Sequence, residues 1–170
     1  MQKKVFQILV DNTSGVLSRI SGLFSRRGYN IESITAGITD SVTEEDSKYT
    51  RITIVTSGDD EILEQIEKQV AKLEDVRDIK ELEPDSSVYR ELALVKVIAS
   101  PEERQSVIAL ADVFRAKIID VTQDSVIVEL TGNQTKIEAF LHLLDGYEVP
   151  EIARTGIAGL SRGTDNITYL

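Results

Sequence analysis

The chain has 170 residues, of which 41% are hydrophobic, and its formal net charge is -10. This composition is typical of a globular protein and argues against one that binds nucleic acid mainly through clustered Lys and Arg side chains. The absence of cysteine excludes disulfide frameworks, thiolate metal sites and a cysteine nucleophile. Since neither a signal-peptide pattern nor an apolar run of ~20 residues occurs, we expect a cytoplasmic protein.

Residues 1–83 are predicted to contain four strands and two helices in the order β-α-β-β-α-β. The first helix begins after turn residues 11–15 and ends at Gly28, because apolar residues recur at helical spacing and two arginines precede that glycine. The second begins after Gly58, with acidic residues in its first turn, where the helix dipole favours them. The predicted strands are 5–10, 30–39, 49–56 and 76–83, and an acidic loop at 40–48 joins the middle two.

The same order repeats after a polar break that contains Pro84. Ser100, Pro101 and Glu103 form a helix-start pattern, with an N-cap, a proline at the first helical position and a capping box. A further helix begins at 131–134, and the strands are predicted at 92–99, 117–121, 125–130 and 148–153. We therefore predict an α+β protein of two consecutive ferredoxin-like sandwiches, with domains 1–83 and 84–170.

One face of each predicted sheet lacks a covering helix. The first and fifth strands are apolar on both faces, as Val5, Leu9, Leu94 and Val95 illustrate, and such a sheet needs a cover on each side. We expect the second cover to be another copy of the chain or a partner subunit. The pattern therefore predicts an obligate homodimer or higher oligomer.

Few residues could carry catalysis or bind a metal. The one histidine, His142, lies in a helical pattern and is interpreted as a surface or interface residue, since no partner for general base chemistry can be named. The acidic clusters 44–46 and 59–61 are explained by a solvated loop and a helix start. No Walker or dinucleotide-binding glycine motif occurs, and the loop after the first strand lacks the arginine of the acylphosphatases. We predict no catalytic residue and no metal site.

The loop at 11–15 is the remaining candidate for a function. Free N–H groups at a helix N-terminus attract anions, and Gly15 lets a ligand approach the backbone closely. The Asn12 amide can both donate and accept hydrogen bonds, which suits a free amino acid. The alternative is that Asn12, Thr13 and Ser14 simply cap the helix while Gly15 makes the turn. Asn30 has a similar alternative as a turn residue.

At these residues the sequence resembles a known family. Segments 11–19 (DNTSGVLSR) and 22–33 (GLFSRRGYNIES) are similar to the N-terminal ACT domain of the regulatory small subunit of acetohydroxyacid synthase, also called acetolactate synthase. Further similar segments are QIEKQ at 65–69, ELALVKV at 91–97, FRAKIIDV at 114–121 and the tail ARTGIAGLSRG at 153–163. The resemblance covers nearly the whole chain and makes residues 1–83 the ACT domain.

The resemblance implies a non-catalytic chain that activates a thiamine-diphosphate-dependent catalytic subunit in branched-chain amino acid biosynthesis. It also implies feedback inhibition by a branched-chain amino acid, usually valine, bound between the ACT domains of two protomers. The implied effector-binding residues are Asn12, Gly15 and Val16, with Asn30 and Ile31 from the facing strand. Val16 and Ile31 are expected to contact the branched side chain. Thiamine diphosphate, Mg and FAD are expected on the catalytic subunit, and no cofactor on this chain.

Two other functions stay open on the sequence. A different amino-acid-sensing ACT protein could regulate another enzyme or transcription, but it would have no need of the second-domain and tail motifs. A small enzyme on a ferredoxin-like fold would need a constellation of titratable groups, and none is visible. The acidic loop at 43–47 is longer than is usual in the family. The tail from 158 onward is either a solvated terminus or a segment that docks on a partner.

Overall fold

The computed structural model describes residues 2–39 and 48–164. Contacts divide the chain into two units: residues up to Val88 together with those from Ile157 onward form the first, and Tyr89–Gly156 form the second. Each unit contains an antiparallel sheet with two helices in the order β-α-β-β-α-β. The prediction of an α+β protein with two ferredoxin-like sandwiches is therefore confirmed.

The first unit is built on a four-stranded sheet. Its strands are β1 (Gln2–Asp11), β2 (Asn30–Ile38), β3 (Tyr49–Gly58) and β4 (Val76–Glu81), and its helices are α1 (Val16–Arg27) and α2 (Asp60–Val70). The strand order is β2-β3-β1-β4, so β2 is an edge strand. Alternate residues of β1, namely Phe6, Ile8 and Val10, pack in one core with helix residues such as Phe24 and Ile66.

Helix α1 begins and ends at glycines, as the sequence predicted. Gly15 (φ 84°) and Gly28 (φ 69°) both adopt the left-handed conformation, which glycine tolerates without steric cost. The Gly28 N–H donates to the carbonyl of Ser25, and Arg26 and Arg27 place positive charge in the last turn. These two ends fix where the loop before α1 and the start of β2 lie.

The second unit repeats the arrangement. Its elements are the strands β5 (Ser87–Ile98), β6 (Lys117–Val121), β7 (Ser125–Gly132) and β8 (Glu148–Arg154) and the helices α3 (Pro101–Val113) and α4 (Gln134–Leu143). The strand order is β6-β7-β5-β8, and β5 begins in the first unit. The predicted capping box of α3 is present: the Glu103 N–H donates to Ser100 Oγ over 3.3 Å, and the Ser100 N–H donates to the Glu103 carboxylate over 2.9 Å.

A ninth strand, β9 (Ala158–Ser161), lies in the segment that the sequence left as a solvated tail or a docking segment. It pairs with β5, and the Arg162 N–H donates to the carbonyl of Ser86 over 2.8 Å. The side chain of Gln7 in β1 donates to the carbonyl of Gly159 over 2.7 Å. The described part of this segment is thus held by hydrogen bonds to other residues of the same chain. It groups with the first unit, whereas the predicted boundary at 84 assigned it to the second.

One premise of the predicted oligomer is wrong for the first sheet. Val5, Gln7 and Leu9 lie on the face of β1 opposite the helices, and each is at most 6% exposed within a single chain. Their burial therefore needs no second copy. The oligomeric state stays a prediction, and it now depends on the edge strand β2, where Ile38 is 63% exposed.

The predicted acidic loop lies almost entirely outside the described residues, which stop at 39 and resume at 48. Within the described residues, no helix is long and apolar enough to cross a membrane.

Candidate functional site

The loop between β1 and α1 leaves the N-terminus of α1 without a side-chain cap. Gly15 occupies the N-cap position, and no side chain makes a cap hydrogen bond there. Two side chains that could have capped the helix bond elsewhere. Asn12 Oδ1 accepts from Thr50 Oγ1 over 3.2 Å, and Thr13 Oγ1 donates to Asp75 Oδ1 over 3.2 Å. The part of the alternative in which these side chains cap the helix is therefore wrong, whereas Gly15 does make the turn, with φ 84°.

An uncapped helix N-terminus offers backbone N–H groups and the positive end of the helix dipole. The loop residues Asn12 to Gly15 are exposed, so a small ligand can reach them. Glycine is favoured at 15 because φ is +84°, and an added Cβ would lie 2.9 Å from Nη1 at the end of the Arg19 side chain, which would have to move. This position therefore suits the carboxylate of a ligand, and a larger residue at 15 would strain the loop and occupy the space.

Two ion pairs join this loop to the segment that follows α2. Arg19 holds Asp75 in a two-bond fork, with 2.5 Å from Nε to Oδ2 and 2.9 Å from Nη2 to Oδ1. Arg77 pairs with Asp11, with 2.7 Å from Nε to Oδ1. The bond from Arg19 holds the pKa of Asp75 below its ordinary value. Asp75 therefore stays charged at neutral pH and keeps Arg19 in place.

The two apolar residues predicted to contact a ligand, Val16 and Ile31, both lie against the first core, and their contact with a ligand stays a prediction. Val16 is 8% exposed and belongs to the first core, so little of its side chain is left for a ligand. Ile31 is half-buried and packs against the same core. Leu17, the next residue along α1, is 44% exposed and is an apolar side chain that the first turn presents to solvent.

Asn30 and Ile31 lie at the opposite end of the first sheet from the loop. Asn30 pairs with Ser57 at one end of β3, whereas Tyr49 at the other end pairs with Asp11, next to the loop. The two ends are about 27 Å apart, because an antiparallel strand rises ~3.4 Å per residue. A single chain therefore does not bring the predicted residues together. A site that used all of them would have to be shared by two protomers.

The loop offers binding groups, namely backbone N–H donors, a side-chain amide and fixed charges. Among residues 2–39 and 48–164, no group of three or more His, Asp or Glu side chains is placed to hold a metal ion. His142 is exposed on α4, away from the loop in sequence and in the other unit.

Both halves of the chain match models of known protein families. Residues 6–78 match the model of the AHAS small subunit-like ACT domain, and residues 90–163 match the model of the small subunit of acetolactate synthase. The chain belongs to the family of acetolactate synthase small subunits. The candidate loop and α1 lie within its ACT domain, and the family-typical tail includes β9.

Acetolactate synthase small subunits are similar to this chain over nearly their whole length. The probable small subunit of Archaeoglobus fulgidus is 45% identical over 95% of this chain and 98% of its own. The isozyme 3 small subunit of Escherichia coli is 46% identical over 95% of this chain and 96% of its own. The crystal structure of the small subunit from Thermotoga maritima has a TM-score of 0.85 at 41% identity, covering 97% of this chain and 100% of that chain. The predicted family is confirmed.

Sequence reasoning missed Asp75 as a neighbour of the loop. It stands in a polar turn after α2, and its partners Thr13 and Arg19 are 62 and 56 residues away. One feature of the sequence could have indicated an acidic neighbour of the loop. Arg19 is a cation in the first turn of a helix, where the dipole disfavours positive charge, so a compensating anion was to be expected nearby.

Proposed function

We propose that this chain is the regulatory, non-catalytic subunit of an acetolactate synthase. It activates the catalytic subunit and makes it sensitive to inhibition by a branched-chain amino acid, with valine as the expected effector. The observation that carries this proposal is the uncapped N-terminus of α1 beside Asn12, in the ACT domain of a chain whose relatives are small subunits of this synthase. Thiamine diphosphate, Mg and FAD belong to the catalytic subunit, and this chain needs no cofactor.

The loop geometry supports an amino acid as the ligand. The effector carboxylate meets the N–H groups at the start of α1, where the dipole favours negative charge. The Asn12 amide takes part of the remaining polar contacts, and the exposed Leu17 offers an apolar surface to the branched side chain. Because one methylene discriminates by only ~1–3 kcal/mol, the choice among valine, leucine and isoleucine is a matter for measurement.

The position of β2 supports a site shared by two copies. An antiparallel pair of β2 edges, related by a two-fold axis through the middle of the strand, would set Asn30 of one copy opposite Ile38 of the other. Ile38 pairs with Thr50, whose hydroxyl donates to Asn12. Such a dimer would bring Asn30 and Ile31 of one copy to the Asn12 loop of the other. It would also cover the exposed Ile38.

Effector binding can regulate the catalytic subunit if it is thermodynamically linked to the arrangement of the complex. An effector that binds two copies at once can shift the complex only if it binds one arrangement better than another. A coupling of ~1–3 kcal/mol would produce a ~5–150-fold effect on affinity. The ACT dimer is the element whose arrangement the ligand would bias.

The test is acetolactate formation by the cognate catalytic subunit, with and without this chain, across a valine titration. We expect stimulation by the chain and its reversal by valine. Gly15→Asp should lose the valine effect, because it puts a side chain and a negative charge at the expected carboxylate position. Gly146→Asp is the matched control: Gly146 also has a positive φ of 102°, but nothing lies within 4 Å of the added Cβ.

The outcomes separate the alternatives. Retained valine sensitivity in Gly15→Asp, with sensitivity also retained in Gly146→Asp, would count against the loop as the site. No stimulation of the catalytic subunit, while the isolated chain still binds an amino acid, would favour an amino-acid sensor that regulates another enzyme or transcription.

A further inference from the structure

Asp75 stands where several hydrogen bonds from the candidate site converge. Its carboxylate accepts from Thr13 Oγ1 over 3.2 Å and from Nε and Nη2 of Arg19 over 2.5 and 2.9 Å. Its carbonyl accepts from the Asp11 N–H over 2.9 Å. All these donors lie at the end of β1, in the loop or in the first turn of α1. Asp75, in the turn after α2, therefore contacts the end of β1, the loop and the first turn of α1, whereas Asn12 is held separately by Lys48 and Thr50.

Arg19, held by Asp75, also contacts Ser14 and Gly15 of the loop. Its Nη2 also reaches the carbonyl of Ser14 at 3.4 Å, and its Nη1 lies 2.9 Å from the position of a Cβ on Gly15. Because a guanidinium is planar, two bonds to Asp75 fix the direction of all its nitrogens. Without Asp75, a cation would stand unpaired in the first turn, where the helix dipole repels it. Ser14 and Gly15 are therefore positioned through the ion pair.

We propose that Asp75 is a positioning residue for effector binding. Through Arg19 and Thr13 it holds the loop from Thr13 to Gly15 in the conformation that leaves the start of α1 without a side-chain cap. Asp75 itself does not contact the effector. This inference rests on the proposed function and deepens it, because it names the group that shapes the site.

The ion pair is suited to ordering the loop rather than to stabilising the fold. The Arg19 side chain is 47% exposed and the Asp75 side chain 18%, and an ion pair that is partly open to solvent contributes little to the free energy of unfolding. Ordering a loop before the ligand arrives removes an entropy cost from binding, so the effect falls on the affinity for the effector. A simple surface salt bridge would leave that affinity unchanged.

The test uses the complete complex with the catalytic subunit and valine as the probe. We compare Asp75→Asn, Arg19→Gln and the double variant by the valine concentration that gives half-inhibition, and by the rate at saturating valine. Each single variant should raise the half-inhibition concentration about 3- to 30-fold, with the double variant no worse than the singles. The rate at saturating valine should match that of the unsubstituted complex, since the bound state is the same.

Hydrogen exchange gives a second readout that does not depend on the effector. Amides of residues 12–18 should exchange faster in Asp75→Asn, and other amides of the first unit should not. The matched control is Glu64→Gln, which breaks the exposed ion pair of Glu64 with Lys68 on α2. It should change neither the half-inhibition concentration nor the exchange of the loop.

Each outcome either supports or contradicts the positioning role of Asp75. Unchanged half-inhibition and unchanged exchange in Asp75→Asn would overturn the positioning role while leaving the proposed function intact. A variant that changes the rate at saturating valine without moving the half-inhibition concentration would also overturn it. If the unsubstituted complex is not inhibited at all, the proposed function fails, and the positioning role falls with it.

Discussion

The side-chain amide of Gln7, 1% exposed in the middle of β1, donates a 2.7 Å hydrogen bond to the carbonyl of Gly159. Gln7 lies between the buried residues Val5 and Leu9 on the face of the first sheet opposite the helices. A buried amide costs free energy unless it is hydrogen-bonded, so Gly159 makes this polar residue tolerable in an apolar strand. The described part of the C-terminal segment is therefore part of the structure of the first unit.

The first prediction concerns this segment. Ile157 is 2% exposed, whereas Leu160, three residues later, is 57% exposed. Ile157→Ala should reduce the free energy of unfolding by about 2–5 kcal/mol, since it removes buried methylenes and leaves a cavity. Leu160→Ala is the matched control and should change it by less than ~0.5 kcal/mol. Urea unfolding of both variants checks this, and equal small effects would mean that the segment does not pack as described.

The ends of α1 and the start of α3 could be predicted because their causes are local. Gly28 after two arginines, and Ser100 three residues before Glu103, carry their hydrogen-bond partners within one turn. The strand β9 could not be predicted. Its four residues lack a core-forming pattern, and its existence depends on Gln7 and Ser86, which are distant in sequence. The burial of β1 on both faces was predicted, but its second cover was assigned to another copy of the chain or to a partner subunit.

The second prediction uses two ion pairs that join the same two strands, β5 and β8. Glu91 is 5% exposed and takes two bonds from Arg154, at 2.7 and 2.8 Å. Lys96 and Glu151 form a pair at 2.7 Å in which both side chains are well exposed. Arg154→Met should cost about 3–5 kcal/mol, because it leaves a buried carboxylate unpaired.

Lys96→Met is the control for that change. It removes an exposed pair, which is worth ~0.2–1 kcal/mol. Thermal or urea unfolding of the two variants provides the comparison. If they are destabilised equally, burial does not distinguish the two pairs, and Glu91 is hydrated in solution.

The third prediction is a pH dependence that comes from the capping box of α3. The hydrogen bonds from Ser100 hold the pKa of Glu103 below its ordinary value of ~4.3. A carboxyl whose pKa is lowered by folding stabilises the folded state above its unfolded pKa, and that contribution is lost as the pH falls through the lowered value. Glu103→Gln should therefore be less stable than the unsubstituted chain at pH 7, and the difference should narrow below about pH 4.3.

Glu102→Gln provides the control for this titration, because Glu102 lies in the same first turn but outside the capping box. At pH 7 it should lose less stability than Glu103→Gln, because it removes no hydrogen bond of the capping box. Chemical unfolding at several pH values between about 3 and 7 measures both curves. A Glu103→Gln difference that stays constant over this range would show that the capping bond does not persist in solution.

The sequence predicted the loop of the candidate site but not the residues that hold the loop in place. The Asn12 loop and Gly15 follow from turn chemistry and from the start of a helix, and the structure leaves that start uncapped as an anion site requires. The 8% exposure of Val16 was not foreseen, because residue type alone does not tell which side of a helix start faces the core, and its contact with a ligand stays a prediction. Asp75 was missed because its bonds cross 56 or more residues.

The last prediction tests whether the site is shared between copies. Asn12 and Asn30 lie at opposite ends of the first sheet, so a shared site uses Asn12 of one copy with Asn30 of the other. Asn12→Ala and Asn30→Ala chains should each lose valine binding when alone. In a mixed dimer of the two, both substitutions fall in one site, and the second site is intact.

Equal amounts of the two variants, unfolded together and refolded, should therefore recover about a quarter of the valine-binding sites of the unsubstituted chain, because random pairing makes half of the dimers mixed. Calorimetric titration with valine measures the number of sites. The control is each variant refolded alone, which should recover none. If the mixture also recovers none, no site combines Asn12 of one copy with Asn30 of the other, and the proposed pairing of β2 edges is wrong.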